Sequence, residues 1–308
     1  MSFLTPVKYP VKYYSWQDDN APALSATDGA IKTILKACLI TGYGDKDGAG
    51  WQMLFEEDNR MMIKPPKHIS HAPYLRISNG VSNGQARYSV ASYTQHPTSL
   101  DDPNIVTERY LYSKDARHGN RWHLLATDFA FIFCYEMGAN FALNRDNPTY
   151  AIKNTTLFVG GLWRADEANR HHFYMNSNNY ANNLAAVSYN NYPMMSGHSL
   201  LFNLSKNEII NVSQVINPQI ANLHQGPELI GGQYIAMPLM VANIGRLPFY
   251  MSLNYGYIVA SANQAQHPYN PDTTHVNIGG RAFFRWVDLP THNAVFKALY
   301  APLDYWEY

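Results

Sequence analysis

Cysteine is nearly missing from this chain: Cys38 and Cys134 are the only two among 308 residues. A disulfide framework needs more than that. Two buried reduced thiols are therefore expected, with a single bridge as the alternative. Charge is scarce as well. Only 15% of residues are charged, and Lys+Arg and Asp+Glu balance at 23 each, where an average globular protein carries roughly a quarter. A chain of zero formal net charge lacks the basic footprint of a nucleic-acid binder. It also lacks long-range repulsion, and near-zero net charge favours association. A neutral enzyme and a subunit packed against copies of itself both fit this balance. No apolar run approaches the ~18 residues of a membrane span. Met1-Ser2-Phe3-Leu4-Thr5-Pro6 has no basic segment followed by an apolar one and does not read as a signal peptide. The expectation is synthesis in a cytoplasm, without independent export or membrane anchoring.

Motifs of chemistry are equally sparse. There are twelve histidines, but no H-E-x-x-H or Cys-x-x-Cys. His171 and His172 are adjacent, and neighbours in a strand point to opposite faces. His68 and His71 are flanked by prolines. No G-x-S-x-G elbow or Walker-type G-K-[ST] exists. The glycines after Gly42 follow a helical pattern instead of preceding one, so they do not present a helix N-terminus to phosphate. The adjacent acids Asp18-Asp19, Glu56-Glu57 and Asp101-Asp102 read as solvated loop carboxylates, since adjacency does not place two acids across a glycosidic bond. Counted from Asp45, the residues Asp47, Gly50 and Glu56 match the third, sixth and twelfth places of a calcium loop, but Ala49 and Met53 cannot ligate at the fifth and ninth. A tight turn that aims Trp51 inward is the better reading. No catalytic, cofactor-binding or metal-ligating residue is assigned, and no cofactor is expected.

What the chain does have is aromatic and neutral-polar surface. Tyr reaches 23 of 308 residues. Tyr favours strands and suits interfaces, because it joins a large apolar body to one polar end. Runs of four to eight residues with alternating pattern, broken by Asn79-Gly80 and Asn83-Gly84, read as antiparallel strands joined by turns. Such runs occur from Tyr74, Ala86 and Thr107; further strand candidates begin at Thr156, Ser199, Glu208, His275 and Ala294, and longer apolar runs at Trp122, Gln233 and Phe249. Trp122 to Tyr135 reads as two strands joined at Thr127-Asp128. The first sixteen residues, with Pro6 and Pro10, read as an extended arm or edge strand.

One segment has helical spacing instead. Ile31, Ile34, Leu35, Cys38 and Leu39 fall at i, i+3, i+4, i+7 and i+8, one face of an α-helix. Ser25 and Asp28 resemble a capping box, Thr27 is an alternative N-cap, and Gly42 is placed to end the helix with a left-handed residue. The fold class expected is mainly β, antiparallel and sandwich- or barrel-like, with one short amphipathic helix near 27–41 (α+β by strict counting). Residues 1–145 form an N-terminal β-rich region with the helix, and 146–308 a second one, divided at the turn-rich Asn140 to Thr149. One continuous domain is the alternative. The expected structural anchor is Ile31, Ile34, Leu35, Cys38, Leu39, Gly42, Gly44 and Trp51. The Asn- and Tyr-rich stretch from Met175 to Tyr192 has too few aliphatic residues for a core of its own. Its Asn176, Asn178, Asn179, Tyr180, Asn182 and Asn183 are the candidate surface-interaction residues, suited to protein contacts or to saccharides.

The run Ala21-Pro22-Ala23-Leu24-Ser25, then Asp28-Gly29-Ala30-Ile31, Leu35-Lys36-Ala37-Cys38-Leu39-Ile40-Thr41-Gly42-Tyr43-Gly44 and Ala49-Gly50-Trp51 is similar to the start of a family of tailed-bacteriophage and prophage virion proteins from the tail region. Tyr74-Leu75-Arg76-Ile77 resembles that family's L-R-V strand, although Ser78-Asn79 stands where the family has Asp. Trp122-His123-Leu124-Leu125-Ala126-Thr127-Asp128 with Phe131 resembles its W-x-L-x-A-D element. The resemblance spans roughly the first 135 residues. It implies a component of the virion; with no active-site motif in the chain, the expectation is a non-enzymatic structural subunit of the tail, baseplate or a surface appendage. Its implied partners are copies of itself in a symmetric ring and other virion proteins, with neither nucleic acid nor a membrane span. A host-receptor or glycan-binding adhesin of the particle is the alternative, and a wall or capsule hydrolase a third.

Overall fold

A computed structural model describes residues 8–25, 27–66, 74–82, 85–93, 96–105, 107–112, 121–128, 130–136, 154–163, 172–177, 199–203, 208–212, 214–215, 235–242, 251–261, 275–278, 280–289 and 296–307. The described chain is strand-rich with one helix, and its paired strands run antiparallel in four sheets. A seven-stranded sheet has the order β13-β12-β11-β10-β9-β8-β2, where β2 is Lys12–Ser15, β8 Trp122–Ala126, β9 Phe131–Glu136, β10 Asn154–Trp163, β11 His172–Ser177, β12 Ser199–Asn203 and β13 Glu208–Val212. A five-stranded meander joins β3 (Gln52–Glu56), β4 (Arg60–Lys64), β5 (Tyr74–Ser82), β6 (Gln85–Tyr93) and β7 (Thr107–Tyr112) in chain order. A six-stranded sheet is ordered β14-β15-β16-β19-β18-β17, from β14 Gln214–Val215, β15 Ile235–Ala242, β16 Met251–Ser261, β17 His275–Ile278, β18 Arg281–Leu289 and β19 Phe296–Pro302. A two-stranded ribbon pairs β1 (Lys8–Pro10) with β20 (Tyr305–Glu307), Lys8 opposite Glu307. Strands β9 and β10 are neighbours in one sheet although they lie on either side of residue 145.

The helical face closes the core. Helix α1 (Ala30–Lys36) continues as one wide π turn over Ala37–Thr41, where the Gly42 amide donates to the Ala37 carbonyl at 2.8 Å. The expected side-chain cap is a correction. The N-cap is Gly29, at φ 78°, and no side chain caps it. Ser25 and Thr27 share a 2.6 Å hydrogen bond with each other. Gly42 has the positive φ expected of it, 76°, but its ψ of 176° is extended and not helical. The helix therefore ends by leaving along a strand-like path. Its last carbonyls, which lack intrahelical partners, are taken by the returning chain: Ala49 N–H donates to Cys38 O and Trp51 N–H to Leu39 O, each at 2.9 Å.

Side chains follow the strand period of two. Tyr14, Trp122, Leu124, Ala126, Phe131 and Phe133 from the front of the seven-stranded sheet share one cluster with Ile31, Ile34, Leu35, Cys38 and Leu39. Met61, Ile63, Leu75 and Ile77 from β4 and β5 complete it. The helix thus lies between two sheets. Trp51 enters this cluster, meets Phe131 edge-on at 5.4 Å, and donates its indole N–H to Thr127 O at 3.0 Å. Met62, on the opposite face of β4, packs with Leu100 in a smaller cluster. Cys38 and Cys134 are both buried free thiols. Among the described residues no helix is long and apolar enough to cross a membrane.

The turn is intolerant of a Cβ. At Gly42 one would run into the Lys46 carbonyl, and the φ there is already positive. Gly42→Ala is expected to cost about 2–4 kcal/mol through strain and backbone displacement. Trp51→Phe, which removes the indole N–H···O bond to Thr127, is expected to cost about 1–3 kcal/mol. Denaturant midpoints of the two variants against the parent chain check both.

Candidate functional site

The best-defined polar constellation sits at the outer edge of β2. In the ladder with β8, Trp16 N–H donates to Trp122 O at 3.1 Å, and Tyr14 stands opposite Leu124. By the alternation of an antiparallel ladder, the backbone groups of Tyr13 and Ser15 then point away from the sheet. The glycine-rich turn and Asp18, just after β2, supply partners for them. Lys46 Nζ donates to Tyr13 O at 2.9 Å. Ser15 N–H donates to Asp18 Oδ2 at 2.7 Å, and Ser15 O accepts from Asp18 N–H at 3.1 Å. Lys46 and Asp18 form an ion pair at 2.7 Å. The Tyr43 hydroxyl donates to Asp18 Oδ2 at 2.7 Å. Tyr14 O–H donates to Asp47 O and Lys12 Nζ to Gly48 O, both at 2.7 Å. An exposed strand edge is a template for pairing with another chain; here side chains from the turn cover it.

The electrostatics fit a clasp. Burial alone would raise the Asp18 pKa, but hydrogen bonds from Lys46, Tyr43 and the Ser15 amide, with the Lys46 charge, outweigh it and hold the carboxyl below the usual range. Burial first, then the hydrogen bond to Asp18, pushes the Tyr43 hydroxyl up. Burial also raises the Cys38 thiol, which disfavours the thiolate form that reacts.

Of the other acids expected to be solvated, Asp19 is exposed, while Glu56, Glu57, Asp101 and Asp102 are held by partners. Glu56 pairs with Lys32 and Lys36, both at 2.8 Å, so the twelfth place of the calcium-loop pattern is occupied by two ammonium groups. Lys32, itself buried, also donates to the Glu57 and Asp58 carbonyls. Arg60 bridges Glu57 and Asp101. Asp102 accepts from the Thr98 and Asn104 amides, both at 2.9 Å, and pins the 98–104 turn. Among the described residues no three His, Cys, Asp or Glu side chains gather as a metal site.

Of the anchor residues, Ile31, Ile34, Leu35, Cys38, Leu39 and Trp51 are buried, and Gly42 and Gly44 have positive φ. Of the candidate interaction residues, Asn176 lies in β11, opposite Phe158 and Ser199. Asn178, Asn179, Tyr180, Asn182 and Asn183 lie outside the described residues. Sequence reasoning missed Asp18, Lys46 and Tyr43 as a unit, because their meeting depends on β2 lying beside the turn.

Asp18 contributes stability because its folded pKa is depressed. That contribution is present above the ordinary ~3.9 and is lost as pH falls through the lower folded value. Asp18→Asn is therefore expected to lower the denaturant midpoint near neutrality, and its deficit against the parent chain should shrink in strong acid. Lys46→Met should leave Tyr13 O and Asp18 without their cation and lower the midpoint by about 1–3 kcal/mol of stability. Parallel denaturation curves at neutral and acid pH check both signs. No protein-family model matches the chain, and no curated protein matches it.

Proposed function

We propose that this chain is a non-enzymatic structural subunit of a tailed-phage particle, acting through oligomer interfaces in the tail, baseplate or a surface appendage. The observation that carries the reading is the segment from Ala21 to Trp51. Several of the residues that resemble the virion family lie in the core cluster, among them Leu24, Ile31, Leu35, Cys38 and Trp51. Zero formal net charge and 23 tyrosines in 308 residues add weight, since neutral, Tyr-rich surfaces favour association. On this reading the sheets complete a sandwich- or barrel-like body. The partners are copies of the chain, in a closed symmetric ring, and other virion proteins. Its place is the virion, after synthesis in the host cytoplasm. The stretch from Met175 to Tyr192 supplies a contact surface.

Sedimentation velocity on the full chain over a concentration series, with electron microscopy of the heaviest species, tests this. A discrete closed assembly is the expected result. A chain that stays monomeric at the highest concentrations sinks the reading. Binding of a host surface polysaccharide by that monomer, abolished in Tyr180→Ala, would favour the adhesin instead.

A further inference from the structure

A second cluster lies on the back of the seven-stranded sheet, and its chemistry is independent of any role in a particle. The rings of His123 on β8 and Tyr13 on β2 face Phe284 of β18 at 5.0 and 5.6 Å. His275 of β17 meets Tyr13 edge-on at 5.0 Å and Phe284 at 6.1 Å. The Tyr13 hydroxyl and His123 Nδ1 are 2.8 Å apart. Two imidazoles thus stand at one seam between the seven-stranded and six-stranded sheets. His123 is buried and His275 has an exposed side. We propose that His123, with His275 facing it across the seam, makes the docking of β17 and β18 onto β2 and β8 acid-labile, so that protonation releases these C-terminal strands while the helix-centred core stays folded.

The surroundings favour neutral rings. The Tyr13 hydroxyl, which shares a hydrogen bond with His123 Nδ1, is neutral, and Phe284 covers both imidazole rings without offering a counter-charge. The groups that act on His123 are His275 from β17 and Arg121 from the start of β8, both of cationic sign. Tyr13 faces it from β2. Its ladder partner on β9 is the Cys134 thiol. Asp18 acts in the opposite sense, but its carboxylate is held by Lys46 and Tyr43 at the strand edge. Lys46 itself lies over the Tyr13 ring at 5.7 Å. Burial, then His275 and Arg121, brings His123 down to about 4. Burial lowers His275 as well.

The sign follows from linkage. A histidine whose folded pKa is depressed binds its proton more readily once released. The seam is then complete above the ordinary ~6.5 and weakens as pH falls toward 4. For His123 alone, going from about pH 7 to about pH 4.5 shifts the balance toward the released state by a factor of roughly fifty. That window lies above the range in which Asp18 titrates, so the two effects separate.

Hydrogen exchange of the full chain at about pH 7 and about pH 4.5, with times scaled for the intrinsic rate, reads the outcome by segment. Peptides covering β17, β18 and β2 should lose protection in acid while those covering α1, β4 and β5 keep it. His123→Gln retains an acceptor for Tyr13 and cannot charge, so it should hold protection at the lower pH. His275→Gln, at the more exposed position, serves where the buried change fails to fold, and should retain part of the protection. Equal loss in all segments, no loss, or acid release in both variants as in the parent chain would overturn the proposal.

Discussion

The Asp18–Lys46 ion pair closes the open side of a sheet, and the described core depends on that closure. Strand β2 reaches β8 across more than a hundred residues of chain, and it covers the sheet on one side only. Its outer backbone groups need partners or they invite another strand. A few side chains answer this, and each answer has a second consequence. Lys46 reaches Tyr13 O because Tyr43 and Lys46 form a tight backbone bridge. That bridge needs Gly42 and Gly44 at positive φ. The same turn returns Ala49 and Trp51 to the carbonyls of the π turn. Edge closure, helix termination and entry of Trp51 into the core are therefore one mechanical unit. Its net electrostatic strength is modest for a partly exposed pair. Its importance is geometric, because it fixes where the turn sits.

Much of this architecture is written in local pattern. The spacing of Ile31, Ile34, Leu35, Cys38 and Leu39 shows which helix face is buried, and a π turn at Ala37 does not disturb it, since Cys38 and Leu39 remain at 0% exposure. Thr127-Asp128 marks the reversal between β8 and β9 because no hydrophobic alternation crosses it. The helix start is less legible. A capping box and a Gly N-cap look alike until the Gly29 φ is known; Asp58 O lies close to where its Cβ would be, a tertiary fact with no local signature. The pairing of adjacent acids is illegible for the same reason. Glu56 meets Lys32 and Lys36 only because β3 lies beside α1. Nothing in the spacing of Tyr13, His123, His275 and Phe284 announces that they meet across a seam.

Scarce charge takes on a definite meaning in this setting. Lys32, Lys36, Lys46, Arg60 and Arg281 each take a carboxylate partner. Arg281 also reaches the Tyr305 carbonyl, and its guanidinium and the Lys8 ammonium both lie 4.2 Å from the centre of the Tyr305 ring. That arrangement holds the β1–β20 ribbon against β18. In the described regions, then, charged groups are largely occupied in stitching one segment to another.

The layering also limits where an outside partner can approach. The front of β2, β8 and β9 is covered by the helix and by Met61, Ile63, Leu75 and Ile77. On its back, Leu125, Ile132 and Cys134 are buried, and Phe284 covers Tyr13 and His123. The β2 edge is closed by Asp18, Lys46 and Tyr43. A region with both faces covered and one edge capped does not recruit partners through its sheet. The N-terminal anchor is thus built to resist pairing with another strand at its β2 edge.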